Sequence, residues 1–378
     1  MGVVMGVVKK LLTPLTMGPY TLRNRIVMAP LTRTRAGDRN VPREMNMVYY
    51  SQRATAGLII SEATSVSPSG YGYHGTPGIH TEEQRDAWKR ITDAVHEEGG
   101  LMFLQLWHVG RISHQDLQPG AVFPVSASAI RPRGRALTRD GLKPHPTPRA
   151  LHLEEIPTVI EEYRRGAWLS LEAGFDGVEV HAANGYLPDQ FLNSGSNNRT
   201  DEWGGSLENR ARFLLAVTDA VVDVWGADRV GVRLSPANHH GDIDDANRWE
   251  THSYAVRELN KRNLAYLHLV SPRVDGAEDA NTKMDLGPER FRPLITGKTR
   301  LIAAGGYKPA DAESLLDRGI ADAVAFGRLF ISNPDLPKRI ELNAPLNAYD
   351  RNTFYARGVA GYLDYPTLDA ADDLQTAS

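Results

Sequence analysis

The chain has 378 residues, 41% of them hydrophobic and 24% charged, with a formal net charge of −3 and no cysteine. That length buries a large core unaided, and a weakly acidic balance with no long basic run gives no electrostatic basis for holding nucleic acid or an anionic membrane surface. Without cysteine there are no disulfides, thiolate zinc sites, iron–sulfur clusters or dithiol chemistry, so redox work would need an organic cofactor or a metal held by His and carboxylates.

The opening MGVVMGVVKK puts its charges after the apolar run, the wrong order for a secretory signal, and the run is too short to span a bilayer. Met1 and Met5 each open MGVV, so either could be the start. The expected compartment is the cytoplasm, where Asn198-Arg199-Thr200 would never meet the glycosylation machinery.

Short apolar runs then recur along the chain. Arg25–Ala29 leads to Pro30, Gly57–Ile60 to Ser61-Glu62-Ala63, Leu101–Leu104 to Gln105, and Gly177–Val180 to His181. Val230–Val232 leads to Arg233, Tyr266–Val270 to Ser271, Leu301–Ala304 to Gly305, and Ala323–Phe326 to Gly327. Such runs suit parallel strands buried on both faces. Between them lie helical patterns: Trp88, Ile91 and Val95; Ile156, Val159, Ile160, Tyr163 and Ala167; Phe213, Leu214, Val217, Ala220, Val221 and Val224; Ala312, Leu315 and Leu316. Alternation through eight cycles predicts an α/β fold, a single (β/α)8 TIM barrel over residues 1–378 with its core at about 11–366. A Pro-, Gly- and Arg-rich excursion after strand three, about residues 113–153, reads as a lid or small β-excursion. The tail beyond Asn333 is polar with scattered aromatics.

Functional groups of such barrels lie at the carboxyl ends of the strands. There the chain carries Pro30-Leu31-Thr32, Glu62-Ala63, Gln105, His181, Arg233, Gly305-Gly306 and Gly327-Arg328. Any one of them alone fits a polar loop residue; together they would converge on one mouth. The glycines after strands seven and eight, with Arg328 and a following helix, suit a phosphate. Arg233 needs an electron-rich partner if buried; a flavin N1–C2=O edge would serve, and so would an internal salt bridge such as one to Glu62. Gln105 can donate and accept, as the pyrimidine edge of a flavin requires. In His181-Ala182-Ala183-Asn184-Gly185-Tyr186-Leu187, His181 and Asn184 can donate to one oxygen and polarise it, and Tyr186 can supply a proton.

On these residues the chain closely resembles the Old Yellow Enzyme family of FMN oxidoreductases, from about Leu11 to Pro366. The matching segments include LRNRIVMAPLTRTRA, GLIISEAT, LQLWHVGRISH, HAANGYLPDQFLNSGSNNRTDEWGGSLENR, AAGGY and FGRLFISNP. The resemblance implies non-covalent FMN in a TIM barrel and an ene-reductase. It would use NADPH or NADH to reduce activated C=C bonds of unsaturated aldehydes, ketones, imides or nitroalkenes, or nitro and nitrate-ester compounds, by ping-pong hydride transfer from flavin N5. It places Pro30, Leu31 and Thr32 against the flavin, with the Thr32 hydroxyl on the ring. Ala63, Gln105 and Arg233 take the pyrimidine side, and Gly305, Gly306, Gly327 and Arg328 the phosphate. His181 and Asn184 would anchor the substrate oxygen, with Tyr186 as proton donor, and Tyr73, Trp107, Ile112 and Tyr355 would wall the substrate pocket. No metal, nucleic acid or membrane partner is implied; a monomer or homodimer is expected.

The chain departs from relatives in several places. It lacks the cysteines and extra nucleotide domain of the iron–sulfur dienoyl-CoA reductases. Thr32 stands where another branch has cysteine, and Asn184 where some members have a second histidine. LSPANHHGDIDD after strand five is unusual; His239 and His240 are read as loop residues, with a metal or nicotinamide contact as the alternative. Gly70-Tyr71-Gly72-Tyr73-His74-Gly75 fits G-x-G-x-x-G but lacks the strand–turn–helix context of a dinucleotide site. Two rival readings remain: a hydrolase built on Glu62 and Glu179, and a non-catalytic binding barrel.

Overall fold

All eight apolar runs form strands in the computed structural model, which describes residues 9–276, 278–280 and 284–369. They are β1 (Ile26–Met28), β2 (Leu58–Ile60), β3 (Met102–Trp107), β4 (Gly177–His181), β5 (Val230–Leu234), β6 (Tyr266–Val270), β7 (Arg300–Ala304) and β8 (Ala323–Phe326). Every neighbouring pair is parallel. Val27 faces Leu58, Ile59 faces Met102, Leu104 faces Val178, Val180 faces Val232, and Val232 faces Leu267. Leu267 faces Leu301, Ala303 faces Val324, and Ala325 faces Val27, which closes the ring. A closed ring leaves no free edge among these strands. The opening MGVVMGVV lies outside the described residues.

The helices cover the ring with the faces their periodicity predicts. α1 (Glu82–Glu97) starts at Thr81, whose hydroxyl accepts from the Gln84 N–H while the Gln84 side chain accepts from the Thr81 N–H, each at 3.2 Å. This reciprocal cap satisfies two donors that a helix start leaves free. α1 buries Ala87, Trp88, Ile91 and Val95. α2 (Ile156–Glu172) buries Ile156, Val159, Tyr163 and Ala167, and α3 (Leu207–Trp225) buries Phe213, Leu214, Val217, Ala220 and Val221. α4 (Pro309–Asp317) buries Ala312, Leu315 and Leu316. Most of these side chains join one apolar layer between barrel and helices.

A hairpin, Leu15–Met17 with Tyr20–Leu22, packs Leu15, Met17 and Leu22 on Val27, Leu58, Phe103 and Tyr266. It plugs the amino-terminal end of the barrel, so access is from the carboxyl end.

The excursion after β3 carries an antiparallel hairpin, Arg135–Thr138 with Gly141–Pro144, and a short ladder joining Val125–Ser126 to Arg149–Ala150. Arg199 fastens it to the barrel, donating to the carbonyls of Ala127 (2.9 Å) and Leu151 (2.7 Å) while paired with Asp201 at 2.6 Å. The tail returns over the mouth and is gripped from below. Arg33 donates to the carbonyls of Phe354 (3.1 Å) and Gly361 (2.8 Å), and Arg35 to those of Thr353, Phe354, Gly358 and Ala360 at 2.9–3.0 Å. Both guanidiniums lie over the Tyr362 ring, which supplies electron density to cations taken out of water.

Candidate active site

The strand-end residues do converge. One cavity of about 920 Å³ at the carboxyl end is lined by Pro30, Leu31 and Thr32 after β1, Ala63 after β2, Gln105 on β3 and Arg233 on β5. His181, Asn184 and Tyr186 line it from the end of β4, Gly305 and Gly306 after β7, and Gly327 and Arg328 after β8. Tyr73 and Tyr355 complete the wall, but Trp107 and Ile112 do not belong to it. Both are buried behind the wall, with Trp107 stacked on Tyr73 (centroids 5.9 Å apart, 4° between planes) and edge-on to Tyr186 at 5.2 Å. They shape the pocket through the residues in front of them.

The His181–Tyr186 turn is held from several sides. Asn184 adopts φ +56°, in the left-handed region that asparagine tolerates, and its N–H donates to Ser235 Oγ at 2.8 Å. The next residue must be glycine: Gly185 has φ +77°, and a Cβ there would stand 2.5 Å from the His240 carbonyl oxygen. Its N–H donates to Asp189 Oδ2 at 2.9 Å, and its carbonyl accepts from Gln190 Nε2 at 2.7 Å. Burial pushes the Asp189 carboxyl up to about 7. Ser235, Asp189 and Gln190 went unread in the sequence, although the last two sit in the motif itself.

Geometry fixes the His181 tautomer. The Ala183 N–H donates to His181 Nδ1 at 3.3 Å, so Nδ1 accepts and a neutral ring carries its proton on Nε2. Burial, then Arg233 and His268, hold its pKa well below the usual histidine range. The ring is a neutral donor and only 3% exposed. Its face meets Tyr186 edge-on, at 4.9 Å and 82°. The Tyr186 hydroxyl lies 3.2 Å from that of Tyr73. Burial and Tyr73 push its pKa well above 10, so it stays protonated.

Two features show what the cavity can hold. Arg233 Nε has no hydrogen-bond partner, so a guanidinium in a low-dielectric site lacks part of its compensation. At the far end Gly305 and Gly306 have φ +129° and +68°, and Arg328 donates through both terminal nitrogens to Asp279, Nη1 to Oδ2 at 3.0 Å. The Asp279 carboxylate occupies the forked donor in the way a phosphate would. The rim is basic: His74, Arg139, Arg273, Lys308 and Arg357 line it. Arg357 Nη1 lies 2.8 Å from His74 Nε2, and Arg273 pairs with Asp311 at 3.0 Å.

Comparison with known proteins agrees with this geometry. Residues 10–347 match the model of the NADH:flavin oxidoreductase / NADH oxidase family. The chain belongs to that family. It is 49% identical to 12-oxophytodienoate reductase 1 of Oryza sativa subsp. japonica over 96% of this chain and 94% of that one. Morphinone reductase solved in complex with tetrahydroNAD superposes with a TM-score of 0.89 at 49% identity, covering 96% of this chain and 98% of that one. The old yellow enzyme homologue from Zymomonas mobilis superposes with a TM-score of 0.91 at 43% identity, covering 95% and 100%. The fold expected from the motifs, the flavin family and the flavin-dependent NAD(P)H oxidoreductase class are therefore those of the chain, with FMN and a nicotinamide as the cofactors of the family.

The unpartnered Arg233 nitrogen and the glycine–arginine end fit the two ends of FMN. The alternative salt bridge from Arg233 to Glu62 does not form. Glu62 instead accepts from the Arg33 N–H at 3.2 Å and the Tyr50 hydroxyl at 3.4 Å, and burial raises it to about 7. Neither Glu62 nor Glu179 lines the cavity, which removes the geometric basis of the hydrolase reading. His239 lies against Arg248, Nη2 to Nδ1 at 3.1 Å, while His240 reaches the cavity. Among the described residues no group of three His, Asp or Glu could hold a metal ion, and no helix is long and apolar enough to cross a membrane. After Gly70-Tyr71-Gly72-Tyr73-His74-Gly75 the next helix begins only at Glu82, so this is no dinucleotide fingerprint.

Proposed function

We propose that the chain is a one-domain ene-reductase that reduces electron-poor C=C bonds conjugated to a carbonyl or nitro group, with NADPH or NADH as hydride donor. When bound, FMN supplies the hydride, which it first takes from the nicotinamide. Pro30, Leu31 and Thr32 would hold the face of the flavin, with Ala63, Gln105 and Arg233 at the pyrimidine and Gly305, Gly306, Gly327 and Arg328 at the phosphate, where Asp279 must give way. His181 Nε2 and the Asn184 side chain donate to the substrate oxygen and draw electron density from the distal alkene carbon. The Tyr186 hydroxyl delivers the proton to the nearer carbon. Nitro and nitrate-ester compounds present similar oxygens to the same donors.

The observation that carries this reading is the His181 ring fixed as a neutral Nε2–H donor beside a protonated Tyr186. The basic rim suits an anionic donor such as a dinucleotide. A single cavity serving donor and acceptor in turn supports ping-pong kinetics. The names of the relatives denote reductases of oxo compounds, in keeping with a carbonyl-activated alkene. The hairpin at Arg135–Pro144 reaches the cavity through Leu137, Thr138 and Arg139, a position suited to a lid.

The test is the visible spectrum of the purified protein under anaerobic conditions. Flavin bands should bleach with NADPH and return on adding 2-cyclohexenone. Bleaching without return would refute the alkene half of the reading. A protein that neither carries nor takes up FMN would refute both halves.

A further inference from the structure

The proposed reaction leaves the buried charge of Glu179 unused. Glu179 is fully buried on β4, two residues before His181 and so on the same face of the strand. Register carries that face around the barrel: Gln105 pairs with Glu179, His181 with Arg233, and Arg233 with His268. Glu179 Oε1 accepts from Gln105 Nε2 at 2.7 Å, and Oε2 meets His268 Nδ1 at 2.8 Å. The Tyr266 ring lies across Gly231, where a Cβ would stand 2.2 Å from it. Glycine there lets the phenol approach Glu179 across the barrel.

The charges can be assigned. Burial disfavours an ionised carboxylate, yet His268, Arg233 and Gln105 together hold Glu179 below its ordinary range. Burial keeps His268 neutral. With Nδ1 donating to Glu179, its Nε2 is a lone pair, and that atom has no hydrogen-bond partner. The cluster thus holds one negative charge, Glu179, and one positive charge, Arg233. The carboxylate makes no ion pair with Arg233 within 4.0 Å among the described residues, so it offsets through space the guanidinium of a residue that lines the cavity and whose Nε has no hydrogen-bond partner.

We propose that Glu179 is the internal counter-charge of Arg233, held by His268, and that it sets how strongly the barrel favours negative charge on the FMN ring. It is a positioning residue, acting through Arg233 and through the Gln105 amide that it orients. The proposal rests on the reading that puts the flavin pyrimidine at Gln105 and Arg233. Full neutralisation of Arg233 would forgo the stabilisation of reduced FMN, and an unopposed guanidinium would hold the reduced form too tightly for hydride to leave readily. Glu179 sets the balance between these.

The experiment is the two-electron midpoint potential of bound FMN in Glu179→Gln holoenzyme, by dye-coupled anaerobic titration, with the dissociation constant of oxidised FMN measured alongside. Unmasking Arg233 should raise affinity for reduced over oxidised FMN at least tenfold, which is a rise of about 30 mV for a two-electron couple. Glu179→Asp draws the charge back by one methylene and should move the potential the same way but less; it decides the matter where the glutamine variant gives no holoenzyme. An unchanged or lowered potential would overturn the proposal. So would equal loss of affinity for both redox forms, the sign of a merely structural role. Arg233→Ala protein with wild-type FMN affinity and potential would remove the flavin placement, and the proposal with it.

Discussion

Replacing His181 with alanine removes a donor from a site that excludes water. The ring is 3% exposed and its Nε2–H is the end left free when Nδ1 accepts from Ala183. A fixed donor aimed at developing charge in such a site contributes about 3–4 kcal/mol, or about 10²–10³ in rate. Two considerations favour the lower end for His181→Ala. Asn184 still donates to the same oxygen, and the space vacated by the ring admits a water that donates in part. The double variant His181→Ala with Asn184→Ala should lose about 10³–10⁴, less than the product of the single losses because both groups serve one atom. Stopped-flow mixing separates the two half-reactions: reoxidation of reduced enzyme by 2-cyclohexenone should slow by these factors, while bound FMN and its spectrum persist. The wild-type rate should also show no rise as pH falls from 8 to 6, because the donor is neutral imidazole with its pKa well below 6.5. Enone reoxidation within about threefold of wild type in the double variant would refute the anchor assignment; a rate that climbs as a group near pH 6.5 protonates would instead make imidazolium the acid.

Tyr186→Phe should slow enone reoxidation by about 10²-fold or more and leave FMN reduction by NADPH nearly unchanged, since only the enone half-reaction needs a proton donor; equal slowing of both would remove that role. Arg328→Ala should weaken FMN binding about tenfold or more, whereas Asp279→Asn, which removes the carboxylate now held by Arg328, should tighten it; fluorescence titration reads both, and weaker binding in Asp279→Asn would refute the idea of a phosphate stand-in. Arg139→Ala and Arg357→Ala should raise the KM for NADPH several-fold, more at low salt than at high, without changing the KM for enone; no salt dependence would count against the rim as the donor's anion site. Stability should fall as pH drops from 6.5 toward 4.5. His108 and His252, depressed by burial to about 4, contribute stability above pH 6.5 that is lost as pH falls toward 4. Glu62 and Asp189, raised by burial to about 7, contribute stability that is full below about 4.5 and lost as pH rises through 7. At about 1.4 kcal/mol per pH unit for each group the two carboxyls offset only part of the histidines, since His181 and His268 are held low as well; in Glu62→Gln the acid loss of stability should steepen, as chemical denaturation at a series of pH values would show.

The barrel was legible in the sequence because strands buried on both faces must be apolar throughout, and the polar residue that ends each run marks the mouth. That rule found Gln105, His181, Arg233, the Gly305-Gly306 pair and Gly327-Arg328 without any knowledge of how strands pair. It failed where position depends on something other than the end of a strand. The family resemblance, not that rule, put Trp107, the last residue of β3, and Ile112 in the wall, yet Tyr73, carried by a loop, stands in front of Trp107 and takes its place there. Arg139, Asp279 and Arg357 reach the mouth on long connections whose paths are set by distant contacts, such as the Arg33 and Arg35 grip on the tail. The sequence pattern marks none of those paths.

Glu179 and His268 are a different kind of omission. Each is a charged or titratable residue inside an apolar strand, and the period of two could have shown that Glu179 shares the face of His181. Their partners could not be read that way, because contact between β4 and β6 depends on the register of β5 between them, where glycine at 231 makes room for Tyr266. A polar residue in a barrel interior incurs a desolvation cost at every position and persists only if compensated. For Glu179 the hydrogen bonds from Gln105 and His268 supply that compensation, and its charge is left to act on Arg233, whose Nε lacks a partner.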